Sequence, residues 1–112
     1  MRVVFAPDKF AGTLTALEAA SAMATGWARR APEDELAQVP MSDGGPGFVD
    51  VLNVALGGEV HAVTVPDPYG VPVPATILQV GDTAYVESAQ AVGLHLTGPD
   101  EHCVTAIATS RT

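Results

Sequence analysis

Ala6-Pro7-Asp8-Lys9-Phe10-Ala11-Gly12 and Pro40-Met41-Ser42-Asp43-Gly44-Gly45-Pro46-Gly47 are the two stretches whose reading decides the fold. Each follows a short apolar run and precedes a segment with helical character. Arg2-Val3-Val4-Phe5-Ala6 reads as a buried strand. Pro7 ends it, having no N–H to give to a ladder. Thr15-Ala16-Leu17-Glu18 is a capping-box pattern that starts a helix running to about Arg30. Leu17, Ala20, Ala24 and Trp27 fall on one stripe of that helix and are expected in the core. Arg29 and Arg30 suit the negative end of its dipole, and Pro32 closes it. A second short strand covers residues 36–39, and a second helix covers 47–56 until Gly57-Gly58 stops it. Alternation of strand and helix implies a parallel sheet. In such a sheet both strand-to-helix loops leave the carboxyl edge, where open α/β proteins bind ligands. Asp8, Lys9, Asp43 and a glycine-rich turn are therefore expected at one spot.

Beyond Gly58 the pattern changes. Residues 61–65, 75–80 and 83–87 read as strands, with turn signals at Asp67-Pro68-Tyr69-Gly70 and Gly81-Asp82. Pro72 and Pro74 are expected to keep the middle strand from starting earlier. The connections are too short for parallel crossovers, so these strands should be antiparallel. Residues 88–92 suggest a helical turn before Gly93, and Gly98-Pro99-Asp100 is a further break. Residues 104–112 read as the start of an element that lacks its continuation. The change from crossover to hairpin logic sets a boundary near Gly57-Gly58, dividing residues 1–58 from 59–112.

Composition narrows the function classes. The chain has 112 residues, 47% of them apolar and only 5% aromatic, so its core must rest on Val, Leu, Ala and Ile. Its net charge of −8, from 13 acidic and 5 basic residues, argues against a nucleic-acid or anionic-membrane surface, which needs clustered Lys and Arg. The one cysteine, Cys103, allows no intrachain disulfide and fits a reducing, cytoplasmic setting. The first ten residues lack the pattern of a signal peptide. No apolar run approaches the ~18 residues of a membrane-spanning helix.

The loops carry the candidate chemistry. Gly44, Gly45 and Gly47 let backbone N–H groups approach an anion, and the helix start that follows adds positive potential; a tight turn needing positive φ explains the same glycines. The loop is not a Walker A sequence. Asp8 suits a magnesium ligand or a proton acceptor, or an exposed turn residue after Pro7. Lys9, the only lysine in the chain, could neutralise a phosphate as a point charge. Glu87 stands at a strand end, where it could serve a site or cap the next helix. Ser110-Arg111 could hold an anion or be a frayed tail. His61, His95 and His102 lack zinc-site spacing.

These residues resemble a known family. Ala6-Pro7-Asp8-x-Phe10-x-Gly12, Pro40-Met41-x-Asp43-Gly44-Gly45-x-Gly47 and Glu87-x-Ala89-x-x-x-Gly93-Leu94 resemble, in order, the N-terminal part of bacterial type I glycerate kinases, and Thr109-Ser110 resembles a later family segment. The chain departs from the family at Lys9, Ala11 and Pro46, where serine, lysine and glutamate are common, and family members are several times longer. The resemblance implies a two-domain α/β kinase. Residues 1–58 would be a Rossmann- or flavodoxin-like parallel βαβα start, and 59–112 the antiparallel beginning of a second, inserted α/β domain, truncated here. It implies ATP-dependent phosphorylation of D-glycerate, at the 2-hydroxyl, with Mg2+. Asp8, Lys9 and Asp43 would be catalytic, with Asp8 and Asp43 near magnesium. Ser42, Gly44, Gly45, Gly47, Glu87, Ser110 and Arg111 would bind phosphate or substrate. The 112-residue chain alone is expected to be inactive, and either marginally stable or associated as a homodimer or by swapping elements. The alternative, from another class, is a non-catalytic α/β ligand-binding or interaction module.

Overall fold

β1 (Arg2–Phe5) and β2 (Glu35–Gln38) pair in parallel, with Arg2 opposite Glu35 and Phe5 opposite Gln38. The computed structural model describes residues 1–98. Within them the chain forms two compact units, Met1–Asp43 and a second that begins at Gly44.

In the first unit α1 (Ala16–Arg30) makes the crossover between the parallel strands and packs on both. Its start follows the capping box. The Thr15 hydroxyl accepts from the Glu18 N–H at 3.1 Å, and the Glu18 carboxylate accepts from the Thr15 N–H at 2.8 Å, which satisfies two donors at the helix start. The buried face is made of alanines: Ala16, Ala19, Ala20 and Ala24. Small side chains let the helix lie close to the strands. The expected stripe is corrected at its end, because Trp27 is 40% exposed. Its indole lies in the last turn of α1, beyond the alanines of the buried face. It instead meets Phe5 edge-on, centroids 6.1 Å apart, and its Nε1 donates to Asp34 Oδ2 at 2.9 Å. Asp34 also accepts from the Met1 ammonium at 2.9 Å.

In the second unit α2 (Phe48–Leu56) is followed by a meander of β3 (Glu59–Pro66), β4 (Pro72–Val80) and β5 (Thr83–Val86), in that spatial order and antiparallel throughout. A short helix α3 (Ala89–Val92) and a 3-10 turn (Leu94–Leu96) follow. β4 starts at Pro72, three residues before the expected position. The Thr76 N–H points away from β3, to Gln90 Oε1 at 2.6 Å. Strand periodicity puts the nitrogens of Pro72 and Pro74 on that same side. β5 pairs only with Ile77 to Val80, so those prolines lie along an open edge where no ladder donor is required. α2 and α3 both pack on β4. Leu78, in the middle of β4, is fully buried, and Val49 of α2 is 2% exposed. Phe48 meets Tyr85 edge-on at 6.5 Å. Gly58, at the entry to β3, allows a close approach: a Cβ there would lie 2.5 Å from the Gln79 carbonyl oxygen.

The overall class is the expected mixed α/β one, a parallel β-α-β start followed by an antiparallel sheet. No helix among the described residues is long and apolar enough to cross a membrane.

Two outcomes test this packing. Leu78→Ala removes the most buried large side chain, and denaturant unfolding should show a loss of about 2–5 kcal/mol. Asp34 is held below its ordinary carboxyl value, first by its hydrogen bond from the terminal ammonium and then by that from Trp27, with burial opposing both. A lowered folded value gives stability that is present above the unfolded pKa and lost as pH falls through the folded one. Asp34→Asn should therefore flatten the acid limb of the stability curve below the ordinary Asp range, as followed by thermal unfolding against pH.

Candidate functional site

Each strand-to-helix loop begins where a β-strand runs out, and the parallel pairing continues beyond the strand ends. The Val39 N–H donates to the Phe5 carbonyl at 2.8 Å, and the Met41 N–H donates to the Pro7 carbonyl at 2.9 Å. These bonds hold the loop after β1 alongside the loop after β2, at the carboxyl edge. Asp8, Lys9 and Asp43 are brought together there. The Lys9 backbone N–H donates to Asp8 Oδ1 at 2.6 Å, and Lys9 Nζ lies 3.3 Å from Asp43 Oδ1. Lys9 thus joins the two acids through its own backbone and its side-chain tip. The lysine side chain is 26% exposed and that of Asp43 65%, so the pair faces solvent. Two carboxylates against one ammonium leave a local charge of about −1, a balance suited to a hard cation carried by a phosphate. Ser42, half-buried, precedes Asp43 in the same loop.

The glycine-rich turn leads into α2 in the second unit. Gly47 is the N-cap residue and adopts φ +96°, which L side chains rarely take. It has no side chain to cap the helix. Glu87, one residue beyond β5 and 7% exposed, does so instead. Its Oε1 accepts from the Gly47 N–H and its Oε2 from the Val49 N–H, both at 3.1 Å. The Phe48 N–H donates to the Gly45 carbonyl at 3.1 Å. The carboxylate thus caps α2, forty residues earlier in the chain, not the helix that follows it. The reading of Glu87 as a cap of the next helix is corrected accordingly: α3 has no side-chain cap bond. One of the amides expected to face an anion, that of Gly47, is engaged by this carboxylate. The sequence held a signal for it, since a helix opening on Gly47-Phe48 has no Ser, Thr, Asp or Asn at the capping position and must be satisfied from elsewhere.

The other candidates separate from the loops. His61 Nε2 lies 3.0 Å from Gln79 Oε1 across the β3–β4 pair, a cross-strand contact on the sheet. Ser110, Arg111, His102 and Cys103 lie outside the described residues. Among the described residues no group of three or more His, Cys, Asp or Glu could hold a metal ion. Asp8 and Asp43 could supply one or two carboxylates to a magnesium ion whose other ligands are phosphate oxygens and water, the usual mode for that ion.

A parallel β-α-β unit with two acids and a lysine collected at its carboxyl edge, followed in the chain by an antiparallel sheet, places the chain among mixed α/β proteins, a class whose open sheets bind ligands outside the carboxyl ends of the strands. Comparison with known proteins narrows this. Residues 3–112 match the model of the glycerate kinase family. The chain is 47% identical over 110 residues to an uncharacterized protein of Mycobacterium tuberculosis, covering 96% of this chain and 29% of that one. It is 42% identical over 103 residues to the glycerate kinase of Haemophilus influenzae, covering 90% and 27%. It is 36% identical over 113 residues to the glycerate 2-kinase of Escherichia coli, covering 99% and 29%. A crystal structure described as a candidate glycerate kinase 2 from Salmonella typhimurium LT2 superposes with a TM-score of 0.72 at 35% identity, over 89% of this chain and 27% of that one. The chain belongs to the glycerate kinase family. It spans less than a third of the length of these curated relatives.

Exposed ion pairs add little stability, about 0–1 kcal/mol. Lys9→Met should therefore leave the denaturant midpoint nearly unchanged. A large loss would mean that the pair supports the fold.

Proposed function

We propose that the full-length protein is an ATP-dependent kinase that phosphorylates D-glycerate, at the 2-hydroxyl, to give 2-phosphoglycerate. The observation that carries this reading is the Asp8–Lys9–Asp43 cluster at the carboxyl edge of β1 and β2, in a chain of the glycerate kinase family. The name of the Escherichia coli relative supports the 2-position. Residues 1–58 would open a Rossmann-like domain, and 59–112 would begin the inserted one. The setting would be cytoplasmic, with D-glycerate as the small-molecule partner and no nucleic acid or membrane.

Phosphoryl transfer needs alignment and charge neutralisation more than covalent help from the protein. In this reading the glycerate hydroxyl oxygen attacks the γ-phosphorus, the bond from that phosphorus to the bridging oxygen breaks, and ADP leaves with its electron pair. Asp43 accepts the hydroxyl proton. Lys9 lies within reach of Asp43 and offsets negative charge on the phosphate or the glycerate carboxylate. Asp8 orients Lys9 through the backbone bond. A magnesium ion, held by Asp8 or Asp43 together with phosphate oxygens, would supply further charge neutralisation when bound. Ser42, Gly44 and Gly45 would contribute to phosphate binding, as would Ser110 and Arg111. Gly47 would act through the turn it permits.

The test is a coupled ADP-release assay on the full-length protein with Mg-ATP and D-glycerate, the product being identified by NMR. Glycerate-dependent release giving 2-phosphoglycerate is expected. Removing a positioned proton acceptor costs about 10²–10⁴ in rate, so Asp43→Asn should lower kcat by about that factor while the unfolding midpoint stays near wild type. No glycerate-dependent ADP would remove the reading, and wild-type turnover in the variant would remove Asp43 from it.

A further inference from the structure

Glu87 is the only charged residue buried among the described ones, and the phosphoryl-transfer steps above do not use it. Burying a carboxylate is costly unless it is well hydrogen-bonded. Here both oxygens are engaged, by amides that lie 38 and 40 residues away in sequence. The bonds hold the last residue of the glycine turn, Gly47, and the second residue of α2, Val49. Gly47 itself sits at φ +96°, a conformation that no side chain of its own holds in place. The same carboxylate meets the positive end of the helix dipole, so that end is already neutralised.

We infer that Glu87 is a positioning residue: from the end of β5 it clamps the glycine turn onto the start of α2, and it fills the helix end by accepting from both the Gly47 and the Val49 amides. Only a carboxylate does both. It is acceptor-only with two oxygens, whereas a glutamine offers one oxygen and sets an NH2 group against the second amide. Glu87→Gln therefore breaks the clamp on one side at nearly constant volume.

The kinetic arm of the test rests on the kinase reading; the exchange arm does not. In the full-length protein, amide hydrogen exchange of Glu87→Gln should show protection at Gly47 or Val49 falling by about tenfold or more, with Ile77, Leu78 and Gln79 of β4 unchanged, because opening is local to the clamp. In the same variant kcat should fall by about tenfold or more with little change in KM, since donors that drift lose transition-state contacts first. Glu87→Ala should lose protection at both amides. Wild-type protection at Gly47 and Val49 in Glu87→Gln would overturn the inference. So would loss of protection spread evenly through β3, β4 and β5 in both variants, which would make Glu87 a support of the sheet. Lost protection with an unchanged kcat would separate the clamp from catalysis and overturn its positioning role. If the wild-type protein turns over no glycerate, the kinase reading falls, and the exchange result alone decides whether Glu87 holds the turn.

Discussion

Two parallel strands cannot be joined by a tight turn, and the first unit follows from that constraint. The chain must leave β1 at one end, travel back along the sheet, and enter β2 in the same direction as before. α1 makes that return, and its all-alanine face lets it lie close to the strands. Once β1 and β2 run side by side, the loops that follow them leave the same edge. The two hydrogen bonds beyond the strand ends, Phe5 to Val39 and Pro7 to Met41, extend the pairing into the loops. Lys9 and Asp43, far apart in sequence, come within 3.3 Å as a result. The charge cluster is a consequence of strand direction. Its own attraction, between groups partly open to water, is too weak to impose it.

The second unit answers a different demand. A helix end presents amides that need acceptors, and the glycine turn that precedes α2 provides no side chain to meet them. Glu87 meets them from across the unit. Gln90 plays a comparable part for the sheet: β5 stops opposite Ile77, and the Gln90 side chain accepts from the Thr76 N–H that β5 does not reach. In both places a side chain after β5 completes a backbone element begun much earlier. Segment 87–90 thus holds α2 and β4 by polar contacts, while Leu78 and Val49 supply the apolar ones.

Local signals in the chain are strong where the physics is local. The capping box at Thr15 and Glu18, the glycine stop at Gly57, the turn at Asp67-Pro68-Tyr69-Gly70 and the short connections that force antiparallel pairing all depend on neighbours within a few residues, and all are legible in the sequence. Strand direction follows from connection length, so the shared loop edge was legible as well. Trp27 and Pro72 were not. Whether a tryptophan on the right stripe is buried depends on what the fold places opposite its end of the helix, and Trp27, beyond the last buried alanine, stays 40% exposed against Phe5. Whether a proline ends a strand depends on whether its nitrogen faces a partner, and β5 is too short to provide one.

The sequence by itself determined the elements, the parallel and antiparallel classes, and the meeting of Asp8, Lys9 and Asp43, because each rests on spacing along the chain. Only the tertiary structure decided where the Glu87 carboxylate goes. A buried acceptor bonds whichever donors the folded chain brings within about 3 Å, and donors forty residues away leave no periodic mark in the sequence beside it. The unfilled cap at Gly47 stated the need; the packing of α2 against the sheet chose the residue that meets it.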